Sequence, residues 1–162
     1  MTGGILAYGL LAALAIALLI AAATDLRARV IDNWLTFGIA ALAPLFWWAS
    51  GLALWPGVAL QLGLALAVFA VLAGLFAIGQ MGGGDVKLLT ALALWLPWLA
   101  FVRLLIAMSL IGLALTLVFA AAHYARRKPG KPMTPYGVAI SLAGLWVLAS
   151  TYLPAAGLFA KT

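Results

Sequence analysis

The sequence contains no Cys and no Glu, and its only acidic residues are Asp25, Asp32 and Asp85. Without cysteine, the chain cannot form disulfides, thiolate nucleophiles or cysteine-based zinc and iron–sulfur sites. A single histidine, His123, and the absence of an HExxH pattern argue against a histidine-built metal centre. We therefore predict no metal and no cofactor. Any acid–base chemistry by carboxylates must use these three aspartates.

Charge is also scarce. Only 7% of the 162 residues are charged, 68% are hydrophobic, and the mean hydropathy is +1.24. A soluble domain has about 25% charged residues. A soluble fold of this size would expose more apolar area than water tolerates, which excludes that class. The composition predicts an all-α, polytopic membrane protein, with one domain over residues 1–162.

Long apolar runs separated by polar residues, Gly or Pro predict six transmembrane helices. Their approximate ranges are 4–23, 34–50, 57–79, 87–100, 102–122 and 136–156. The fourth is short and is followed by Leu96-Pro97-Trp98. That pattern predicts a helix that spans the membrane incompletely, followed by a tight turn into the fifth.

The basic residues predict an orientation. With the N-terminus outside, six spans place seven of the nine Lys and Arg in or beside cytoplasmic loops, which fits the positive-inside rule. These seven are Arg27, Arg29, Lys87, Arg126, Arg127, Lys128 and Lys131, whereas Arg103 and Lys161 remain outside. We therefore predict an N-out, C-out topology in a bacterial inner membrane. The net charge of +6 reflects this topology and the lipid bilayer as a partner, and we predict no binding of nucleic acid.

All three aspartates then fall at the cytoplasmic boundary. Asp32 precedes the predicted second helix, where it would act as an N-cap. Asp85 follows Gly82-Gly83-Gly84 and could be either an N-cap or a functional residue, although capping does not require three glycines. Asp25 lies at the C-terminal end of the first helix, where the helix dipole disfavours a carboxylate. Its structural alternative is an ion pair with an arginine of the first loop, but its position marks it as a functional candidate.

Two carboxylates at a partly dry site would share one proton, because two like charges at close range cannot both ionise cheaply. The ionised member can take a proton from water while the protonated member polarises a carbonyl group. Such chemistry requires no metal, Cys or His. The residues alone therefore lead to a possible two-aspartate hydrolase at the inner membrane face.

Three segments resemble the prepilin peptidases, a family of GxGD-type membrane aspartic peptidases. Residues 82–89, Gly-Gly-Gly-Asp-Val-Lys-Leu-Leu, are similar to the GxGD motif, and residues 25–36 are similar to the other aspartate segment of the family. The Pro135-Tyr136-Gly137 step is similar to a Pro-aromatic-Gly element near the last helix. The small size resembles the short members associated with Tad/Flp-type pili. Asp32 departs from the family pattern, since many relatives have Pro there.

The resemblance implies that Asp25 and Asp85 are the catalytic pair of an aspartic endopeptidase that cleaves the leader of prepilins or pseudopilins. It implies a supporting role for Gly82–Gly84, whose backbone could pair with an extended substrate, and for Lys87, which could contact lipid phosphate or hold an acid ionised. The cysteine-bearing insertion of larger members is absent, so we predict neither methyltransferase activity nor zinc. Alternatives are a GxGD protease acting on other membrane proteins, a small proton- or ion-coupled transporter, and a non-enzymatic pilus assembly subunit.

Overall fold

The computed structural model describes residues 2–125 and 134–153, and these residues contain helices but no β-strand. The basic cluster at 126–131 and Lys161 lie outside the described residues. A distorted helical turn, Leu54–Val58, leads into the third helix. The six helices are α1 (Thr2–Ala28), α2 (Asn33–Ala49), α3 (Ala59–Ala77), α4 (Gly83–Ala93), α5 (Trp98–Ala125) and α6 (Tyr136–Tyr152).

The short helix α4 lies at the centre of the bundle. It packs against α2, α3, α5 and α6, while α1 packs against α2 and α6. Leu88, Leu89 and Leu92 on α4 are completely buried. At 11 residues, α4 is about 16 Å long, or roughly half the thickness of the hydrocarbon layer of a bilayer. A single half-length helix therefore forms much of the core.

The early end of α4 leaves four consecutive carbonyl groups, those of residues 93–96, without helical partners. Side chains from three neighbouring helices satisfy all four. The Gln61 amide donates to the carbonyls of Ala93 and Leu96 at 2.6 and 2.7 Å. The Trp47 indole donates to Leu94 at 2.8 Å, and the Tyr152 hydroxyl to Trp95 at 3.0 Å. These bonds allow a helix to stop where water is scarce.

Three helical segments are long and apolar enough to cross a membrane, judged by length and composition: Gly4–Ala28, Leu54–Ala77 and Trp98–Ala125. Helix α6 is also apolar but has 17 residues. Many large apolar side chains face outward, including Leu54, Leu60 and Leu110 at 83%, 69% and 65% exposure. Such a surface is suited to lipid rather than water. The six predicted helices are confirmed as helices, but within residues 2–125 and 134–153 only three are long and apolar enough for a full span.

Three of the predicted helix ranges are wrong. The fourth helix covers 83–93 rather than 87–100, and the fifth begins at Trp98 rather than near residue 102. The predicted turn at Pro97 is confirmed, because residues 94–97 are not helical and α5 begins directly after the proline. Helix α1 extends past residue 23 to Ala28, and Arg29 then ends it with a left-handed φ of 55°. Asp25 therefore lies inside the last turn of α1.

Candidate active site

An open cavity of about 470 Å³ lies where the C-terminal end of α1 meets the N-terminal ends of α4 and α6. Asp25 and Asp85 both line it, so the structure brings together the two aspartates that the sequence singled out. The other lining residues are Arg29, Val30, Ile31, Gly82, Gly83, Gly84, Thr134 and Tyr136.

Asp25 is held by the first turn of α6. Its side chain is buried, with 6% of its surface exposed, and its Oδ2 accepts a hydrogen bond from the Val138 backbone N–H at 3.1 Å. The Gly137 backbone also contributes a hydrogen bond to this carboxyl group. The sequence predicted that Asp25 faces the unfavourable end of its own helix dipole. The structure adds that it also faces the favourable end of another helix, which stabilises its charge.

Gly137 makes this contact possible. A Cβ built on Gly137 would lie 2.8 Å from both Cγ and Oδ2 of Asp25, and 2.8 Å from Cδ1 of Ile31. Real side chains do not approach so closely, so the carboxyl group or the helix would have to move. The missing side chain thus lets α6 approach Asp25 closely enough to donate its N–H groups.

Asp85 lies in the first turn of α4, three residues after the N-cap. The N-cap is Gly82, so the interpretation of Asp85 itself as an N-cap is wrong. The Gly82 backbone donates a hydrogen bond to the Asp85 carboxyl group, which is partly exposed to the cavity. An acidic residue in the first turn commonly reaches back to the N-cap in this way. Asp85 therefore has local support from its own helix.

Close packing explains the three successive glycines. A Cβ on Gly82 would lie 3.0 Å from Oδ2 of Asp85, one on Gly83 would lie 3.3 Å from the Phe76 ring, and one on Gly84 would lie 3.2 Å from Cβ of Ile31. Gly83 and Gly84 are helical rather than extended. The expectation that Gly82–Gly84 pairs with a substrate as a strand edge is therefore wrong for these two residues.

The two acids interact electrostatically. The pKa of Asp85 is raised from 3.8 to about 6, mainly by burial and then by the negative charge of Asp25, while the Gly82 N–H opposes the shift. Two carboxyl groups that disfavour each other's ionisation can hold one proton between them over an intermediate pH range. The site can thus present one carboxylate and one carboxylic acid to the same cavity.

The remaining sequence candidates lie at the edge of the site. Lys87 is exposed, does not line the cavity, and donates a hydrogen bond from Nζ to Asn33 Oδ1 at 2.7 Å. It connects α4 to the start of α2. Asp32 occupies the N-cap position of α2, as predicted, but its side chain makes no capping hydrogen bond. It is absent from the cavity lining.

Two contributions to the cavity were not predicted from the sequence, and a third was predicted only as an alternative. The third is Arg29, which with Arg27 was the expected ion-pair partner of Asp25: it is the only Lys or Arg among the described lining residues, and its charge acts on Asp25. Ile31 fits against both Gly84 and Gly137 and so connects α4 to α6. The first turn of α6 itself is the other contribution that was not predicted. Its available signal was the Pro135-Tyr136-Gly137 step, but nothing in the sequence relates that step to Asp25.

Fold and site together define an all-helical, lipid-suited protein with a pair of coupled carboxyl groups in an open cavity. A family model, the type IV leader peptidase family, matches residues 12–117, which include both acids. This chain belongs to the type IV leader peptidase family, and it is therefore a leader peptidase-type protease. No curated protein and no solved structure matches the chain.

Proposed function

We propose that this protein is an aspartic endopeptidase that removes the leader peptide of type IV-like prepilins or pseudopilins, with Asp25 and Asp85 as the catalytic pair. The observation that carries the proposal is the convergence of these two acids on one cavity from distant parts of the chain. Family membership supplies the reaction class. The chain has only one other acid, Asp32, and it lies outside the cavity lining.

The chemistry follows from a pair that holds one proton. The carboxylate takes a proton from a water molecule as the water oxygen bonds to the carbon of the scissile carbonyl. The carboxylic acid gives its proton to the carbonyl oxygen, which forms a neutral tetrahedral intermediate. The intermediate then expels the amine, which takes up the proton that the first carboxyl group received from water, while the second carboxylate takes back a proton from a hydroxyl group of the intermediate. Atoms and protons balance without a metal.

The position of the cavity suits a leader peptide. A peptide bond inside a helix has its carbonyl group engaged, so the substrate must be extended where it is cut. A leader that joins a hydrophobic segment at the membrane surface meets that requirement. We place the cavity at the cytoplasmic face in an N-out, C-out topology, because Arg27, Arg29 and Lys87 lie at the same end of the bundle as the two acids. The short Tad/Flp-type prepilins are the proposed substrate class.

Co-expression with candidate prepilins tests the proposal through the change in mobility that follows leader removal. We expect Asp25→Asn and Asp85→Asn each to lower cleavage by about 100- to 10,000-fold, the usual contribution of one acid–base group. Asp32→Asn is the matched control and should retain activity, since Asp32 makes no side-chain contact with the pair. Chelators should not reduce cleavage. Normal cleavage by either of the first two variants would overturn the assignment.

The same assay separates the alternatives. A GxGD protease with other membrane substrates would leave every prepilin uncut while its two aspartates remained necessary for cleavage of another membrane protein. A transporter would show aspartate-dependent ion flux in vesicles and no cleavage. Its acids would be expected near the bilayer midplane on broken helices, whereas Asp25 and Asp85 lie at helix ends. A non-enzymatic assembly subunit would support piliation equally well after Asp85→Asn.

A further inference from the structure

The surroundings of the two acids differ. The carboxyl group of Asp25 is buried, with 6% exposure, and receives N–H groups of Val138 and Gly137 from the start of α6. The guanidinium group of Arg29 acts on it as well. The carboxyl group of Asp85 has a single backbone donor, Gly82, and the negative charge of Asp25 nearby. Burial disfavours a charge on Asp25, and the two N–H groups and Arg29 oppose that effect, whereas Asp85 has only the Gly82 donor to oppose it.

We infer that the first turn of α6, through the Val138 N–H and the bare Cα of Gly137, holds Asp25 as the ionised member of the pair, so that Asp25 is the base and Asp85 is the acid. This inference rests on the proposed function and assigns a role to each acid within it. Gly137 and Val138 are positioning residues, because they act through Asp25.

The charged and titratable groups around the pair support this asymmetry. Asp25 and Arg29 come from the end of α1, Asp85 from the start of α4, and Tyr136 from the start of α6. Lys87 on α4 is engaged by Asn33 of α2. Asp85 binds its proton at a higher pH than an ordinary Asp partly because Asp25 is negatively charged, and its pKa of about 6 agrees with the assignment.

The assignment fixes the direction of each proton transfer. Asp25 Oδ takes one proton from the attacking water, and the hydroxide oxygen bonds to the scissile carbonyl carbon. The Asp85 proton moves to the carbonyl oxygen. When the C–N bond breaks, the departing amine accepts the proton held by Asp25, and Asp85 recovers one from the hydroxyl of the intermediate. The pair ends in its starting state.

The sequence allows the shared proton to be located directly. Because the chain has three Asp and no Glu, isotope labelling of the aspartate carboxyl groups leaves few infrared signals, and the Asp32→Asn background leaves only the pair. As the pH falls from about 8 to about 5, a protonated carboxyl band should appear. Asp85→Asn should remove this band. Asp25→Asn should retain it, with its midpoint shifted to lower pH because a neighbouring negative charge is gone.

Two variants remove the contribution of α6. Val138→Pro deletes the N–H donor at a position in the first helical turn where proline is tolerated, and Val138→Ala is the control that retains the donor. Gly137→Ala crowds the Asp25 carboxyl group. Gly144→Ala is its matched control, because that Cβ would crowd Leu18 at 2.9 Å in the same α1–α6 interface without approaching Asp25.

We expect Val138→Pro and Gly137→Ala to lower kcat about 100-fold, with little change in KM, and to change the pH at which the infrared band appears. Val138→Ala and Gly144→Ala should leave that pH unchanged. The inference fails if the band survives Asp85→Asn with its original midpoint, or if both α6 variants leave the titration unchanged. The proposed function stands in either case as long as Asp25→Asn and Asp85→Asn abolish cleavage. If they do not, the proposed function fails whatever the infrared titration shows.

Discussion

The two ends of α4 satisfy their free backbone groups in opposite ways. At the C-terminal end, long side chains from α2, α3 and α6 bind all four exposed carbonyl groups. At the N-terminal end, Gly82, Gly83 and Gly84 have no side chains of their own and approach their neighbours closely, and the cavity opens beside Asp85. One end is closed by hydrogen bonds from other helices, and the other is open.

This difference indicates how a small membrane protein can hold a reactive acid in place. Helix α4 is too short to cross the bilayer, so contact with lipid along a full span cannot fix its position. The hydrogen bonds at its closed end fix its position along the bundle instead. The open end can then expose Asp85 without loss of alignment. If this account is correct, changes at the closed end should act mainly on stability, and changes at the open end mainly on activity.

The largest expected effect comes from a substitution at the closed end of α4. Trp95 is 2% exposed, stacks on Phe46 with ring centroids 4.9 Å apart, and donates its indole N–H to the Ile39 carbonyl at 2.9 Å. We expect Trp95→Ala to lower the free energy of unfolding by about 3–5 kcal/mol, measured by denaturation in detergent. Trp98→Ala, at a position 66% exposed, is the control and should change it by less than about 0.5 kcal/mol.

A smaller effect at the same end comes from Gln61→Leu, which removes the donor for two carbonyl groups. Leaving buried acceptors unpaired should lower the free energy of unfolding by about 1–3 kcal/mol. Below the melting temperature, cleavage should persist. Gln80→Leu provides the comparison, since Gln80 is exposed and its side chain makes no such bonds. A stability equal to that of the parent protein would show that these two bonds do not fix the end of α4.

The open end should respond to pH. Because the pKa of Asp85 is raised from 3.8 to about 6, the protonated acid is favoured by folding and is lost as the pH rises through about 6. Above that pH, kcat/KM should fall about tenfold per pH unit. The stability linked to this proton behaves differently, because the free energy of unfolding should fall as the pH rises from about 3.8 to about 6 and should level off above that pH. Substrate that displaces water from the cavity should raise the pKa of Asp85 further, so kcat should begin to fall at a higher pH than kcat/KM does.

The smallest expected effect concerns α6 itself. Ser141 is completely buried, and its hydroxyl has no hydrogen-bond partner among the described residues. Ser141→Ala should therefore raise the free energy of unfolding by about 0.5–1 kcal/mol. Ser109→Ala removes an exposed hydroxyl that already binds the Leu105 carbonyl at 2.7 Å, and should be nearly neutral. A clear loss of stability with Ser141→Ala would contradict this reading of α6.

Local chemistry made much of the fold predictable. Apolar runs located all six helices, and Pro97 marked the turn between α4 and α5. The boundaries of α4 were not predictable, because the bonds that let it end at Ala93 come from Gln61, Trp47 and Tyr152, which are distant in the sequence. Length alone could not reveal that a helix may stop early when other helices supply donors.

The candidate site was likewise predictable in part. The scarcity of acids identified Asp25 and Asp85, and the position of Asp25 at a helix end marked it as unusual. The backbone groups that stabilise the charge of Asp25 could not be predicted, because the donor on Val138 is 113 positions away along the chain. The glycine run was visible as a signal, but its cause depends on contacts with Phe76 and Ile31 that exist only in the folded bundle.

The central claim is that positions 25 and 85 converge on one cavity. The cysteine-free chain permits a direct test in membranes: Asp25→Cys combined with Asp85→Cys, a short bifunctional thiol reagent, and the mass of the labelled protein. We predict that one reagent molecule bridges this pair through both thiols, whereas an unbridged pair takes up two reagent molecules. A control pair, Asp25→Cys with Trp98→Cys at the opposite end of the bundle, should not be bridged. Equal behaviour of the two pairs would contradict the account.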